Sequence, residues 1–234
     1  MRHANARMPD FPFDTVLFDL DGTLLETHRD LGAAVNHALE IGGFDPVPAD
    51  SASDLIGGGA KVMLGQAIDA QGGVEKDEFR ALYKAMLGFY EQHNAVHTRP
   101  YAHALEVLDE LKSFGVALGV VTNKFEGFAR SILTELGLID RFAVVVGGDT
   151  IGKDEAGNYI AKPSPEPILH ARKACGGGRA VFVGDSSYDV KAARSAQVPV
   201  VAAMYGYCDG TAGELAADAA IESLSELVAT LRRM

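Results

Sequence analysis

Two aspartates one residue apart, Asp19 and Asp21, close a short apolar run in the stretch FDLDGT. Three other polar groups end or follow apolar runs in the same way: Thr122 and Asn123 in VVTNK, Lys162 ahead of Pro163 in KPSPEP, and Asp185 with Asp189 in VGDSSYD. Gathered into one crevice, they make at least three carboxylates, an ammonium and a hydroxyl. Two unit negative charges ~4 Å apart repel by about 4 kcal/mol at an effective dielectric of about 20, so such a cluster calls for a cation. A hard, oxygen-ligated ion, Mg²⁺, removes that cost and favours a phosphate substrate. One carboxylate can then attack phosphorus, splitting hydrolysis into two easier steps, while a neighbouring one acts as acid and then as base.

The elements that must place these groups read as strands and helices in alternation. Apolar runs at 15–18, 119–121, 144–146 and 181–183 each lead into polar residues, and a fifth covers 199–204. Their apolar character is continuous rather than alternating, as expected of strands covered on both faces. Helical patterns occupy 103–114, 125–137, 165–174 and 188–196. The order predicts a doubly wound α/β domain with a mostly parallel, Rossmann-like sheet. The polar residues fall at the carboxyl ends of the strands, the edge where such sheets bind ligands. One interval breaks the pattern. Between Leu25 and Val96 no β-like run appears, and helical patterns at 31–41, 60–70 and 76–92 are joined by the turns GGFDPVPAD and IGGGA. This is too long for a loop and predicts a small helical domain serving as a lid over the crevice. The expected division is a discontinuous core, 1–25 and 97–234 with a flexible tail at 1–12, and a helical cap at 26–96.

In their order, FDLDGT, VVTNK, KPSPEP and VGDSSYD resemble the four motifs of the haloacid dehalogenase superfamily, and the resemblance runs from Phe13 onward. It implies that Asp19 is the nucleophile that forms an aspartyl-phosphate and that Asp21 is the general acid/base. It implies that Thr122 and the backbone of Asn123 hold the phosphoryl oxygens while Lys162 neutralises the phosphoryl group and the nucleophile. Mg²⁺ would be bound by Asp19, Asp185 and the backbone carbonyl of Asp21, with Asp189 orienting the metal's outer sphere. A helical cap between the first two motifs is also implied, in agreement with the insertion read from periodicity. An aspartate two residues after the nucleophile resembles the phosphatases and phosphomutases of the superfamily rather than its dehalogenases. Within these, TNKFEGFARSILTELGL, VVVGGDT and LIGGGAKVML are similar to bacterial phosphoglycolate phosphatases, which implies Mg²⁺-dependent hydrolysis of 2-phosphoglycolate to glycolate. That subgroup often carries Asn or Asp where this chain has Gly58, and the stretch 151–161 is longer than its pattern. A small substrate with a carboxylate wants a cation or a helix N-terminus from the cap. Gly58 and Lys61 are the candidates, with Arg80 and Lys84 behind them.

Other readings compete. The ester could be another small phosphate or a pyrophosphate, or the chain could be a β-phosphoglucomutase-like mutase. Such a mutase usually carries a histidine at the start of the first cap helix, where this chain has Leu31, with His28 three residues earlier. A non-catalytic regulator on the same fold would be free to lose Asp19, Asp21 or Lys162, and all are present. An Asp-x-Asp-Gly by itself can be a turn. Thr122 and Asn123 suit a helix N-cap as well as a phosphate site. Gly57 to Gly59 lack the Lys-Ser/Thr ending of a phosphate loop, and Gly176 to Gly178 read as a helix stop. His93 and His97 are four apart but lack a zincin glutamate, and read as a surface pair. Cys175 and Cys208 read as packing residues.

Bulk properties narrow the setting. The 234 residues are 47% hydrophobic and 23% charged, within the range of ordinary globular chains. A net charge of −11 and a pI near 5.0 argue against nucleic-acid or anionic-membrane partners. Two cysteines point to a reducing compartment rather than a disulfide framework. The opening MRHANARMPDFPFD has no apolar signal core, and no apolar stretch approaches the ~20 residues of a membrane span. The expectation is a cytoplasmic protein, monomer or homodimer, that meets a small phosphorylated metabolite.

Overall fold

A computed structural model describes residues 11–48 and 59–234. The chain opens with β1 (Thr15–Phe18), passes a two-residue strand β2 (Leu25–Glu26) and enters helix α1 (His28–Gly42). Helices α2 (Ala60–Asp69) and α3 (Lys76–His93) follow, and β3 (Arg99–Pro100) returns to pair antiparallel with β2. Strands and helices then alternate as α4 (Ala104–Ser113), β4 (Ala117–Val121), α5 (Glu126–Glu135), β5 (Val144–Val146), α6 (Glu166–Ala174), β6 (Ala180–Gly184) and α7 (Ser187–Ser195). The end of the chain adds β7 (Val200–Ala203), α8 (Ala212–Leu215), β8 (Ala219–Ile221) and α9 (Leu227–Leu231). The main sheet has the order β5-β4-β1-β6-β7-β8, and every neighbouring pair is parallel.

Burial explains the apolar runs. Period-2 alternation divides each strand between two faces. Val16, Phe18, Val120, Val181 and Val183 share one cluster with Leu108, Leu111, Ile132 and Leu227 of α4, α5 and α9. Leu17, Val146, Phe182 and Val200 share the other with Ile168, Ala171, Val190 and Ala193 of α6 and α7. Both faces are dry, so neither half of the alternation can be polar.

The register aligns the strand exits. Phe18 lies opposite Val120 on one side and Val183 on the other, so Asp19, Thr122 and Asp185 leave the sheet along one edge. After β5 the chain crosses from one side of β1 to the other, which makes the carboxyl end of β1 the topological switch point.

The insertion is helical as expected. Its buried side chains, among them Val35, Leu39, Leu64, Ile68 and Met86, join the same cluster as one face of the sheet. Helix α1 begins at His28, three residues ahead of the expected 31. Its first amides find no local side-chain cap. They are met instead by the Tyr207 hydroxyl, which accepts from the N–H of Thr27 at 2.7 Å and of His28 at 2.9 Å. β8 was not anticipated, because its sequence AAI has too little apolar bulk to stand out. Of the tail expected at 1–12, residues 1–10 lie outside those described, while Phe11 stacks on Phe114 with centroids 5.0 Å apart.

Candidate active site

At the end of β1 the Asp19 carboxylate meets Lys162, whose Nζ is 2.8 Å from Asp19 Oδ1 and 2.6 Å from Asp189 Oδ1. All three residues are buried, Asp189 completely so at 0% exposure. The capping box of α7 places Asp189: its Oδ2 accepts from the N–H groups of Asp185 and Ser186 and from the Ser186 hydroxyl. Asp185 is held through one donor on each oxygen. Its Oδ1 accepts from Thr23 Oγ1 at 2.8 Å and its Oδ2 from the Tyr207 N–H at 2.8 Å. Two close approaches require glycine here. A Cβ on Gly22, which sits at φ +81°, would lie 2.2 Å from Asp185 Oδ2, and one on Gly184 would lie 2.4 Å from Asp189 Cγ.

The paired groups do not shift in concert. Burial pushes the Asp19 carboxyl up to about 7 against the pull of Lys162. Burial likewise raises Asp185 well above the usual carboxylate range, with the charges of Asp189 and Asp19 adding to it. On Lys162 burial opposes the charge, but Asp189 and Asp19 outweigh it and make the ammonium more basic than usual. The asymmetry follows from stoichiometry: three buried carboxylates share one ammonium, and Asp189 holds it at the shorter distance.

The structure thereby tests the fit of a metal. One oxygen from each of Asp19, Asp185 and Asp189 falls within a mutual 4.8 Å. These are hard donors in a buried place with uncompensated negative charge, which fits a divalent cation of the Mg²⁺ class. Asp189 is already saturated by Lys162, Ser186 and the Asp185 amide, so Asp19 and Asp185 are the freer donors.

A second ion pair lies beside the first. Lys124 Nζ is 3.2 Å from Asp21 Oδ1 and 2.7 Å from the Tyr90 hydroxyl of α3. It also stands 4.5 Å from the centroid of the Tyr90 ring. Asp21, Tyr90 and burial act on Lys124 together; burial disfavours the charge but the two oxygens outweigh it and raise its basicity. Burial pushes the Tyr90 phenol up to about 12. Lys124 belongs to VVTNK, but the sequence alone assigns it no role, since its partner Tyr90 on α3 comes from a different part of the chain.

Thr122 is buried, and its Oγ1 accepts from the Lys124 N–H. The Asn123 side chain brackets the main chain of Lys162: Nδ2 donates to the Lys162 carbonyl at 3.1 Å and Oδ1 accepts from the Lys162 N–H at 2.9 Å. The sequence pointed to the Asn123 backbone alone, and its side chain has this further task.

These groups form one wall of a cleft that opens to solvent. Asp19, Asp21, Thr122, Asn123, Lys124, Lys162 and Asp185 line one side, and Leu31, Ala60, Met63, Tyr83, Met86 and Tyr90 of the three insertion helices line the other. Gly58 lies outside the described residues. Lys61 is exposed and does not line the cavity; at about 100° of rotation per residue it turns away from the face shared by Ala60 and Met63. Arg80 and Lys84 are exposed too, and Arg80 pairs with Asp77. Leu31 lines the cavity, whereas His28, although first in its helix, is set against Tyr207 and Glu26. His93 stacks on Phe89 and bonds its carbonyl, while the His97 N–H donates to Asp30. Both cysteines are free, and burial pushes Cys175 up to about 11. No helix among the described residues is long and apolar enough to cross a membrane.

Comparison with known proteins agrees with this arrangement. Residues 16–203 match the family described as Haloacid dehalogenase-like hydrolase. A phosphoglycolate phosphatase of Agrobacterium fabrum is 35% identical over 218 residues, covering 92% of this chain and 91% of that protein. An N-acetylmuramic acid 6-phosphate phosphatase of Pseudomonas aeruginosa is 33% identical over 222 residues, with coverage of 93% and 94%. A crystal structure of "a predicted phosphoglycolate phosphatase" from Haemophilus somnus superposes with a TM-score of 0.83 at 29% identity, over 93% of this chain and 97% of that one.

Proposed function

The chain belongs to the haloacid dehalogenase-like hydrolases and is a phosphatase of that family, and we propose that it hydrolyses 2-phosphoglycolate to glycolate and inorganic phosphate. The observation that carries the chemistry is the buried Asp19–Lys162 contact of 2.8 Å beside a second, independently ion-paired aspartate, Asp21. An Asp19 oxygen attacks phosphorus, the P–O bond to the glycolate oxygen breaks, and Asp21 gives its proton to the departing alkoxide. Asp21 then takes a proton from water as that water attacks the aspartyl-phosphate, releasing phosphate and restoring Asp19. Lys162 balances charge on the nucleophile and the phosphoryl group, and Thr122 with the Asn123 amide binds phosphoryl oxygens. Asp19, Asp185 and the main-chain carbonyl of Asp21 would hold Mg²⁺, with Asp189 orienting its surroundings. When bound, the ion supplies positive charge against the phosphoryl oxygens and keeps Asp19 ionised. The helices of residues 26–96 serve as a cap that keeps bulk water from the intermediate.

The aromatic lining of the cavity and the Pseudomonas relative favour a second reading, a sugar phosphate that carries a carboxylate. Phosphate release from a panel that includes 2-phosphoglycolate, N-acetylmuramic acid 6-phosphate and glucose phosphates, with and without Mg²⁺, separates the two. Mg²⁺-dependent preference for 2-phosphoglycolate supports the first, and preference for the muramic ester replaces it with the second. Interconversion of glucose phosphates without phosphate release would point to a mutase.

A further inference from the structure

A carboxylate one carbon from the scissile ester oxygen has few places to go in this cavity. Among the lining residues the cations are Lys162 and Lys124. Lys162 is already bracketed by Asp19 and Asp189 at 2.8 and 2.6 Å, and its charge faces the phosphoryl group. The rest of the wall holds no further cation: Tyr83, Ser186 and Tyr188 bring neutral hydroxyls, while Leu31, Met63, Met86, Phe125 and Phe128 offer no donor to an anion. A carboxylate set against them would be desolvated without compensation, at high cost.

Lys124 is differently placed. Its ammonium carries three N–H donors. The Tyr90 hydroxyl takes one at 2.7 Å, and Asp21 lies at 3.2 Å. Asp21 is the group that protonates the leaving oxygen, so that oxygen must come within hydrogen-bond reach of it, roughly 3 Å. In 2-phosphoglycolate a single CH₂ separates that oxygen from the carboxylate carbon. An ammonium 3.2 Å from Asp21 Oδ1 therefore stands beside the position the carboxylate must occupy. Tyr90 restrains the lysine from the insertion side, so its charge is aimed before substrate arrives.

We propose that Lys124, held by Tyr90, is the specificity-determining residue that binds a carboxylate one carbon from the scissile ester oxygen. The assignment rests on the 2-phosphoglycolate reading and replaces the exposed Lys61 as the cation for that group. Lys124 also neighbours Asp21, so a general loss of activity on mutation would not distinguish recognition from the positioning of Asp21.

The ratio between two substrates does distinguish them. In 2-hydroxyethyl phosphate a CH₂OH replaces the carboxylate and the ester is otherwise the same. The wild-type enzyme, with Mg²⁺, is expected to favour 2-phosphoglycolate in kcat/KM by roughly 100-fold, the scale of a desolvated charge-assisted contact. Lys124→Met is expected to bring that ratio to within about 3-fold of unity, and Lys124→Arg to keep most of it. Lys124→Gln, which retains a donor for Tyr90 and removes the charge, provides a second neutral variant. Unchanged competitive inhibition by inorganic phosphate identifies the variants whose phosphoryl site is intact. Equal losses on both esters in those variants, leaving the ratio at its wild-type value, would overturn the assignment. A wild-type ratio near unity would instead remove the 2-phosphoglycolate reading itself, and the assignment with it.

Discussion

Replacing Asn123 with alanine tests a side chain whose role is visible only in three dimensions. The two bonds between Asn123 and the Lys162 main chain, 3.1 and 2.9 Å, would both be lost. Each is worth about 1 kcal/mol net, and a main-chain group left partly buried without a partner adds to the loss, so the sum is about 2–3 kcal/mol. For a chain of this size that corresponds to a fall in Tm of about 5–10 °C. The catalytic cost is separate. The same bonds fix the stretch from which the Lys162 ammonium reaches Asp19 and Asp189, and a displacement of about 1 Å at a reacting centre can cost about 100-fold in rate. kcat for phosphate release is therefore expected to fall about 10–100-fold while the protein stays folded. Differential scanning calorimetry and steady-state kinetics on the one variant give both numbers. If the Asn123 backbone alone were used, alanine would keep the required N–H and change neither quantity. A Tm within about 1 °C of wild type and kcat within about 2-fold would refute the bracketing role.

Further outcomes follow from other contacts. Gly22→Ala places a methyl 2.2 Å from Asp185 Oδ2 at φ +81°, so Mg²⁺ affinity measured by calorimetric titration should fall at least about 10-fold with native circular dichroism. Burial raises the Asp19 carboxyl from 3.8 to about 7, so without metal the native state holds a proton across that window that the unfolded chain has released. Stability carried by this group is then greatest below the window and is lost as pH rises through it. The Tm of the metal-free wild type should drop from pH 5 to pH 8 more than that of Asp19→Asn, and Mg²⁺ should raise the wild-type Tm more at pH 8; parallel Tm profiles for the two proteins would contradict this. Tyr207→Phe removes the acceptor for the first amides of α1 and should cost about 1 kcal/mol, read as a Tm lower by about 2–4 °C.

The core was legible because a strand covered on both faces leaves a local signature: 15–18 and 144–146 were read with the bounds the structure has. The polar residues that end such strands were legible as well, since strand exits in an open α/β sheet converge on one edge. β8 left no comparable mark, for Ala219 and Ala220 make a strand through their neighbours rather than their bulk. Pairings across the fold were not legible either. Lys124 meets Tyr90 and Asn123 meets the Lys162 main chain only because the sheet order and the packing of α3 bring distant segments together. Lys61 is exposed and lies outside the residues that line the cavity. Adjacency to the glycine run suggested a place in the site, but neighbours on a helix point in different directions, and Ala60 and Met63 take the cavity side.

Asp185 joins the two halves of the molecule in a way that spacing in the sequence does not express. One of its oxygens is held by Thr23, whose carbonyl in turn accepts from the Tyr205 hydroxyl at 2.8 Å. The other is held by the N–H of Tyr207, whose hydroxyl meets the start of α1. Tyr207 therefore grips the carboxylate with its main chain and the first insertion helix with its side chain. Asp185 and the start of α1 thus share one residue as a hydrogen-bond partner. Asp185 is buried, with 2% of the residue exposed, so removing either donor leaves a carboxylate oxygen short of a partner at a cost of about 1–3 kcal/mol.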